Sequence, residues 1–244
     1  MNEKKQPYKN PEVENKGKVD WVENDESIDP NTGSVEVSYV GKGKEREPVL
    51  VRKRHAFEHT DKREIEEVLD MNEFLIENNI PVEQPLRGKK ISDKETYLHA
   101  GQSLLKKLES EDMDDATFTK FVDRAVEILK DIHKLGVLHG DYHFANILTK
   151  DDDPKKTTIA DIESTRFQDN IDVGDYNSVN EHLLNEFDGL FKSLCKAKCD
   201  PKKHEILIDT ILRHYEFPEP FNRLLRIRLE TIDKEIIEKF NTPD

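Results

Sequence analysis

Residues 138–150 read LHGDYHFANILTK, and residues 160–164 read ADIES. These stretches contain an aspartate (Asp141), an asparagine five residues later (Asn146) and a second aspartate fifteen residues beyond it (Asp161). Apolar runs of the kind found in short strands lie beside all three positions. Phosphoryl transfer from ATP requires one carboxylate near the incoming hydroxyl and further oxygen ligands for magnesium. One interpretation of the spacing is therefore a phosphotransfer site built from these three side chains. The alternative is that Asp141 and Asn146 are turn residues and Asp161 is a carboxylate at the end of a strand.

The composition limits the class of protein to which this chain belongs. It has 244 residues, a length that suits one domain with two lobes, and 52 acidic against 38 basic residues give a net charge of −14. Such a charge disfavours binding to nucleic acid or to an anionic membrane. The sequence has neither the apolar core of a signal peptide near its start nor a run of about 18 apolar residues. We therefore expect a soluble, cytoplasmic protein that binds neither nucleic acid nor membrane.

The first part of the chain is predicted to be rich in strands. Residues 1–17 carry almost no apolar side chains and are predicted to form a disordered tail. Alternating, β-branched patterns at 34–40 and 48–54, joined by the sequence GKGKERE, predict a β-hairpin. Apolar residues at helical spacing over 61–78 predict one helix. Residues 18–98 are thus expected to form a small lobe of strands plus one helix.

The second part, residues 99–244, is predicted to be mainly helical. An apolar stripe runs along residues 118–135, and Gly136 suits the left-handed position that ends such a helix. Two short strands then flank the turn DDDPKK, whose acids at 151–153 indicate a solvated turn rather than a calcium loop. Further helical patterns follow from residue 176 onwards. The whole pattern predicts an α+β protein.

The two cysteines, Cys195 and Cys199, lie four residues apart on a predicted helix. Two cysteines are too few for a disulfide framework, and the sequence around them lacks the further ligands of a zinc site. We therefore expect ordinary reduced thiols, as is usual in cytosolic proteins.

The motif HGDYHFANIL, followed by ADIES, resembles the catalytic core of the protein-kinase-like superfamily. It is most similar to the small atypical branches, which include the aminoglycoside and choline phosphotransferases, the RIO kinases, the lipopolysaccharide-core kinases and the tRNA-modification-complex kinase. The resemblance covers about residues 19–190 and is strongest over 132–180. It implies a two-lobed fold with a small β-rich N-lobe and a helical C-lobe. It also implies ATP and Mg²⁺ as cofactors, with transfer of the γ-phosphate to a hydroxyl group.

The resemblance implies a role for each residue of the motif. Asp141 would be the catalytic base or the carboxylate that orients the acceptor, while Asn146 and Asp161 would bind magnesium and, through it, the nucleotide. His139 would be the structural histidine of the catalytic loop. Gly140 occupies the place where regulated protein kinases have an arginine, so control through a phosphorylated activation loop is not implied.

The N-lobe offers candidates for the remaining nucleotide contacts. Lys53 lies on the second strand of the predicted hairpin, on one face with two valines, from which it would reach the α- and β-phosphates. By the resemblance, Glu67 is the helix glutamate that pairs with this lysine, and Glu66 and Glu73 are alternatives. Each of these acids could instead belong to a solvated helix face, because the segment is rich in glutamate.

The phosphate-covering loop departs from the family pattern. The glycines of GKGKER lie too close to Lys53 to leave room for the strand that should intervene. The covering loop would instead be ENDESIDPNTG, residues 23–33, which is acidic and contains a single glycine. Its carboxylates would repel phosphate groups. This feature leaves a catalytically silent, nucleotide-binding module of kinase-like fold as an alternative to an enzyme.

The segment after Asp161 bears on the acceptor. It lacks the Ala-Pro-Glu closure of the peptide-binding platform in ordinary protein kinases. Glu163 matches the aspartate–apolar–glutamate form of the antibiotic and choline phosphotransferases. Asp175, or alternatively Asp172, resembles the helix aspartate that braces the catalytic loop. We therefore expect a small-molecule hydroxyl substrate, with an atypical Ser/Thr protein kinase as the alternative.

Acidic side chains recur between residues 169 and 186 without a lysine or arginine. They would form a negative wall that attracts a cationic acceptor, or else belong to solvated helix faces. The residues are Asp169, Asp172, Asp175, Glu181 and Glu186. Together with the net charge, they favour a cationic or neutral acceptor.

Overall fold

The structure is a computed structural model that contains both helices and strands, as predicted for an α+β protein. The chain divides into two compact units, which comprise Met1–Asp70 with Glu83–His99 and Met71–Val82 with Ala100–Asp244. The residues that the structure describes are 20–23, 34–40, 47–54, 62–84, 94–98, 100–110, 113–168, 181–216 and 218–241.

Several sequence predictions fall on residues outside these ranges. They concern the disordered tail at 1–17, most of the phosphate-covering loop at 24–33, the hairpin turn at 41–46 and the acidic segment at 169–180. Each of them stays a prediction.

The first unit contains a four-stranded antiparallel sheet in the order β1-β2-β3-β4. Its strands are β1 (Asp20–Glu23), β2 (Ser34–Val40), β3 (Glu47–Arg54) and β4 (Lys94–Leu98). Alternating β-branched residues favour this extended, paired conformation, and the antiparallel pairing predicted for β2 and β3 is confirmed. The register places Lys53 between Val35 of β2 and Glu95 of β4, so Lys53 lies on an interior strand of the sheet.

The helix α1 (Lys62–Glu77) confirms the helix predicted in this region. Asn79 has a left-handed backbone with a φ of 63°, and the N–H of Ile80 donates to the carbonyl of Leu75 at 2.9 Å. This arrangement is typical of a helix end. Pro81 follows, and because proline lacks an N–H and restricts the residue before it, the helix cannot continue.

The C-terminal half of α1 belongs to the second unit. Phe74 and Phe167 meet edge to face, with ring centroids 5.1 Å apart. Val82, a few residues after the helix, forms a parallel bridge with Ile159. These contacts tie residues 71–82 to strands that lie far along the chain.

Helices make up most of the described part of the second unit. They are α2 (Leu104–Ser110), α3 (Asp115–Lys134), α4 (Glu181–Lys196), α5 (Pro201–Tyr215) and α6 (Phe221–Asn241). The helical patterns predicted towards the end of the sequence are confirmed by α4, α5 and α6. Among the described residues, no helix is both long enough and apolar enough to cross a membrane.

Helix α3 buries its predicted apolar stripe. Each residue of the stripe is at most 2% exposed, and burial of a large apolar side chain contributes about 1.5–3 kcal/mol. The stripe consists of Phe118, Phe121, Val122, Ala125, Val126, Leu129 and Ile132. Asp114 caps the helix by accepting the N–H of Thr117 at 2.6 Å. Gly136 has a φ of 71°, so the left-handed helix end predicted there is confirmed.

Short antiparallel strands form two small sheets beside α3. They are β5 (Gln102–Ser103), β6 (Val137–Leu138), β7 (Ile147–Thr149), β8 (Thr157–Ile159) and β9 (Arg166–Phe167). The sheet orders are β5-β7-β8 and β6-β9, and β7 with β8 confirms the two strands predicted around the acidic turn. Gly101 has a φ of 115° and lies so close to the carbonyl of Thr149 that a Cβ there would overlap it.

The turn between β7 and β8 is held by three different contacts of its acids. Asp151 pairs with Lys156 at 2.7 Å, and Asp153 caps the short 3-10 turn that follows. Asp152 accepts a hydrogen bond from Lys107 of α2, whose side chain is buried. The predicted turn is confirmed, but Asp152 is also tied to a helix.

Both cysteines are free thiols. Helix α4 contains Cys195 but ends at Lys196, so the prediction that both cysteines lie on one helix is wrong for Cys199. The backbone of Lys198 is left-handed, with a φ of 52°, and such a backbone is typical of the residues that follow a helix end. Burial raises the pKa of the Cys199 thiol to about 11, which keeps it protonated and unreactive at neutral pH.

Asp152→Asn is expected to lower the free energy of unfolding by about 1–2 kcal/mol, because it leaves the buried Lys107 ammonium without its carboxylate. Asparagine tolerates the left-handed backbone of this position, so the turn is preserved. Asp151→Asn is the matched control, since Asp151 and its partner Lys156 are both largely exposed, and its effect should be smaller. Urea unfolding measures both variants. Equal losses would contradict the importance of the pair with Lys107.

Candidate active site

The loop between β6 and β7, residues 139–146, carries the first part of the predicted phosphotransfer motif and is named the reaction loop. Strand β6 pairs with β9, and β7 pairs with β5 and β8. Leu138 and Ile147, which lie at the two ends of the loop, are each 1% exposed. Buried apolar anchors therefore fix both ends, and a loop held in this way by a rigid scaffold is a common place for functional residues.

Asn146 and Asp141 contact each other directly within this loop. The amide nitrogen of Asn146 donates to the backbone carbonyl of Asp141 at 3.0 Å and lies 3.3 Å from its carboxylate oxygen Oδ2. Both of these groups are acceptors only, so they fix the orientation of the amide. The amide oxygen of Asn146 is then directed away from Asp141, where it can act as a metal ligand.

The reaction loop is also tied to the strand end that carries Asp161. The N–H of Ala160 donates to the backbone carbonyl of Asn146 at 2.9 Å. Asp161 has a left-handed backbone, with φ of 60° and ψ of 56°. This conformation is uncommon outside glycine, and residues that adopt it often cluster at functional sites. The structure therefore brings Asp141, Asn146 and Asp161 into one region.

His139 links the backbones next to the two aspartates. Its ring is fully buried, Nε2 lies 3.1 Å from the carbonyl of Ala160, and Nδ1 accepts the N–H of Asp141 at 3.3 Å. A carbonyl only accepts and an N–H only donates, so Nε2 carries the hydrogen and the ring is neutral. Burial lowers the pKa of His139, which keeps the ring neutral at pH 7.

Asp141 is ionised and half exposed, with 51% of its side chain accessible. Its Oδ2 lies 3.4 Å from Nε2 of His143. The hydrogen bond from His143 lowers the pKa of Asp141; partial burial opposes this effect, and the hydrogen bond from Asn146 adds to it. A carboxylate with a lowered pKa is a weak base at neutral pH, so Asp141 is better suited to orienting a hydroxyl than to deprotonating it early.

Gly140 allows the segment after Asp161 to lie against the reaction loop. Its φ is 85°, and a Cβ there would lie 2.5 Å from the carbonyl oxygen of Ser164. The hydroxyl of Thr165 donates to the carbonyl of His139 at 3.3 Å, beside this close approach. Any side chain at position 140 would be strained and would push the two segments apart, which explains the glycine.

The reaction loop is braced by Glu186, which was predicted to belong to a negative wall. Glu186 is 4% exposed, so this prediction is wrong. Its carboxylate accepts the N–H of His139 at 3.1 Å and the N–H of Gly140 at 2.6 Å. It thus makes the bracing contact that was predicted for Asp175 or Asp172, both of which lie outside the described residues.

A signal of this burial was present in the sequence of α4. Glu186 lies three residues after Leu183 and one before Phe187, both of which are almost fully buried. A charged side chain within the apolar stripe of a helix is expected to have buried partners. Burial opposes the ionisation of Glu186, but the hydrogen bonds from His133 and the N–H of Gly140 outweigh it and hold the pKa of Glu186 below its ordinary value.

Two helices hold the middle of the reaction loop. The hydroxyl of Tyr142 donates to the carbonyl of Ala125 on α3 at 2.7 Å. The N–H of Phe144 donates to the hydroxyl of Ser193 on α4 at 3.0 Å. Gly189 of α4 lies so close to the carbonyl of Tyr142 that a Cβ there would overlap it. The loop is therefore fixed along its length as well as at its ends.

The predicted N-lobe contacts to the nucleotide lie apart from this loop in the sequence. Lys53 is on β3, and Glu67 is on α1 with an exposed side chain, both within the first unit. Glu66 is also in the first unit, whereas Glu73 is exposed and belongs to the second. The nucleotide role of Lys53, and the choice of glutamate that pairs with it, stay predictions.

Asn146 and Asp161 suit a magnesium ion that is shared with phosphates. Within the part of the chain that the structure describes, no group of three or more His, Cys, Asp or Glu side chains is arranged to hold a metal ion. Magnesium, however, is commonly bound through one or two carboxylates together with phosphate oxygens and waters. The carboxylate of Asp161 and the amide oxygen of Asn146 are ligands of this kind.

No protein-family model matches this chain, and no curated protein matches it either. The resemblance to kinase-like enzymes therefore stays a prediction from the sequence. It rests on residue types and their spacing, most of all over residues 132–180.

His139→Gln is expected to make the stability of the protein less dependent on pH. The pKa of His139 is lowered in the folded chain, so below pH 6.5 the unfolded chain takes up a proton that the folded chain does not. This difference lowers the free energy of unfolding of the wild type as the pH falls below 6.5. Urea unfolding at pH 7.5 and 5.5 measures the loss. An equal loss in the variant would show that His139 is not its source.

Proposed function

We propose that this chain is an ATP- and magnesium-dependent phosphotransferase of two-lobed, protein-kinase-like fold, which transfers the γ-phosphate to a hydroxyl group. One observation carries the proposal, namely the bonds that gather the motif. Asn146 donates to Asp141 through its side chain. Ala160, which precedes Asp161, is bonded to the backbone of Asn146 and to the ring of His139. One carboxylate beside two oxygen ligands is the arrangement that phosphoryl transfer requires.

In the proposed reaction Asp141 orients the acceptor. Its lowered pKa, due mainly to the hydrogen bond from His143, keeps the carboxylate ionised at neutral pH. The acceptor hydroxyl donates a hydrogen bond to this carboxylate. As the acceptor oxygen bonds to the γ-phosphorus of ATP, the bond from that phosphorus to ADP breaks, ADP leaves, and the hydroxyl proton moves to Asp141. The exposed half of the Asp141 side chain leaves room for an acceptor.

Asn146 and Asp161 are proposed to bind the magnesium ion, which when bound offsets the negative charge of the phosphates. The bond from the Asn146 amide nitrogen to Asp141 supports this role, because it turns the amide oxygen away from Asp141. Lys53 and Glu67 are proposed to complete the nucleotide contacts from the N-lobe. The roles of these two residues are supported by the resemblance of the sequence to the protein-kinase-like superfamily.

The proposed acceptor is a small cationic or neutral hydroxyl compound. The net charge of −14 supports a cationic or neutral partner. The chain between β9, which ends at Phe167, and α4, which begins at Glu181, is short for a peptide-binding platform. An atypical Ser/Thr protein kinase and a catalytically silent nucleotide-binding module are the alternatives that the following experiments separate.

Asp141→Asn is expected to lower turnover by about 10²-fold or more, because it removes the carboxylate that orients the acceptor. The proposed metal ligands, Asn146 and Asp161, are unchanged in this variant. ADP release with a panel of hydroxyl compounds and proteins measures turnover, and ATP titration measures affinity, which should change little. Asp151→Asn, in an exposed turn, is the control. Full turnover in Asp141→Asn would contradict this role. ATP binding by the wild type without ADP release for any acceptor would favour the silent module.

Asp161→Asn is expected to abolish the magnesium-dependent part of the stabilisation by ATP, because a neutral amide is a weak ligand for a hard cation. Asparagine tolerates the left-handed backbone at this position, so the fold should persist. Thermal unfolding with ATP, with and without magnesium, measures the effect. For the wild type, magnesium-bound ATP at 100 times its Kd should raise the free energy of unfolding by about 2.7 kcal/mol. An unchanged magnesium-dependent shift in the variant would remove Asp161 from the metal site.

A further inference from the structure

We propose that His133 and Tyr215 are positioning residues for phosphoryl transfer. They act on Asp141 through Glu186 and the backbone of the reaction loop. This inference rests on the proposed function and extends it to helices that pack around the loop. The inference starts from a path of hydrogen-bonded, buried polar groups. This path runs from α5, through α3 and α4, to the residues just before Asp141.

The path consists of the side chains of Tyr215, His133 and Glu186, each of which is at most 4% exposed. The hydroxyl of Tyr215 lies 2.6 Å from Nδ1 of His133, and Nε2 of His133 lies 3.4 Å from Oε2 of Glu186. The same Oε2 accepts the N–H of His139, and Oε1 accepts the N–H of Gly140. The polar groups therefore form a continuous path from the end of α5 to the reaction loop.

The geometry at position 186 requires a carboxylate. Each of its oxygens accepts a backbone N–H, and Oε2 also faces Nε2 of His133. A glutamine would direct its own N–H₂ group at one of these donors, and an aspartate is one methylene group shorter. The peptide groups of His139 and Gly140 immediately precede Asp141. Their direction sets where the Asp141 carboxylate lies.

His133 and Tyr215 keep the Glu186 carboxylate in this orientation. Because a carboxylate only accepts, Nε2 of His133 carries the hydrogen that faces Glu186, and the Tyr215 hydroxyl meets the other ring nitrogen. The ring of Tyr215 is held edge to face against Phe187, with centroids 5.3 Å apart. Loss of this support would leave a buried carboxylate with fewer donors and free to rotate away from the loop.

A positioning role affects a different kinetic constant from an ordinary structural contact. Displacement of Asp141 misaligns the acceptor and lowers kcat, and a shift of about 1 Å can cost about 10²-fold. The KM for ATP should not change, because the path from Tyr215 ends at the backbone before Asp141. An ordinary structural contact would instead lower stability and leave the kcat of the folded protein as it was.

Tyr215→Phe tests the proposal, because it removes one hydroxyl and keeps the ring. Thr210→Val is the matched control, since it removes a hydroxyl from a residue of the same helix that is 1% exposed. We expect kcat about tenfold lower in Tyr215→Phe with the same KM for ATP, and wild-type values in Thr210→Val. Hydrogen exchange of the His139 and Gly140 amides, followed by NMR, should be faster only in Tyr215→Phe.

A double-mutant cycle tests whether the effect passes through Glu186. Glu186→Gln should lower kcat more than Tyr215→Phe does, and adding Tyr215→Phe to it should cause little further loss. If Glu186→Gln does not fold, His133→Gln takes its place in the cycle. Additive losses would mean that Tyr215 acts by another route and would overturn the proposal.

The remaining outcomes are equally decisive. If Tyr215→Phe matches Thr210→Val in kcat and in amide exchange, or loses only stability, the positioning role is wrong. A wild-type chain that transfers no phosphate to any acceptor would overturn the proposed function instead. In that case the exchange rates of His139 and Gly140 still decide whether Tyr215 acts on the loop.

Discussion

The candidate site depends on a carboxylate that is buried in order to hold a loop. Glu186 takes the N–H groups of His139 and Gly140, and His133 supplies a third donor. A buried carboxylate is costly unless its oxygens are hydrogen-bonded, so this arrangement persists only while all the partners are in place. The conformation of the backbone leading to Asp141 therefore depends on how α3 and α4 pack.

A second constraint couples the two aspartates of the site. The neutral ring of His139 bonds to the backbone of Asp141 on one side and to Ala160 on the other. If the ring were protonated it would lose one of these bonds, because Nδ1 could no longer accept. Burial, which lowers the pKa of His139, thus maintains the relation between the loop and the strand end that carries Asp161.

Much of the fold could be predicted from local patterns. The helices α1, α3, α4, α5 and α6, and the strands β7 and β8, follow from apolar periodicity, because a periodic apolar face has to be buried. The helix end at Gly136 could be predicted because a left-handed backbone is needed after the last turn, and glycine adopts it without strain. Asp141, Asn146 and Asp161 were singled out by spacing, and the loop before β7 together with the hairpin of β7 and β8 brings them together.

The sequence by itself determined the main helices, the paired strands β2 with β3 and β7 with β8, and the three polar groups that were expected to converge. Only the tertiary structure decided the partners that lie far along the chain. Glu186 meets His139 across 47 residues, and the buried Lys107 meets Asp152 across 45. Local periodicity reports which face of an element is buried, but not which polar group on a neighbouring element will meet a charge on that face. That choice is made by how the helices pack, because a buried charge must find its hydrogen-bond partners wherever packing brings them.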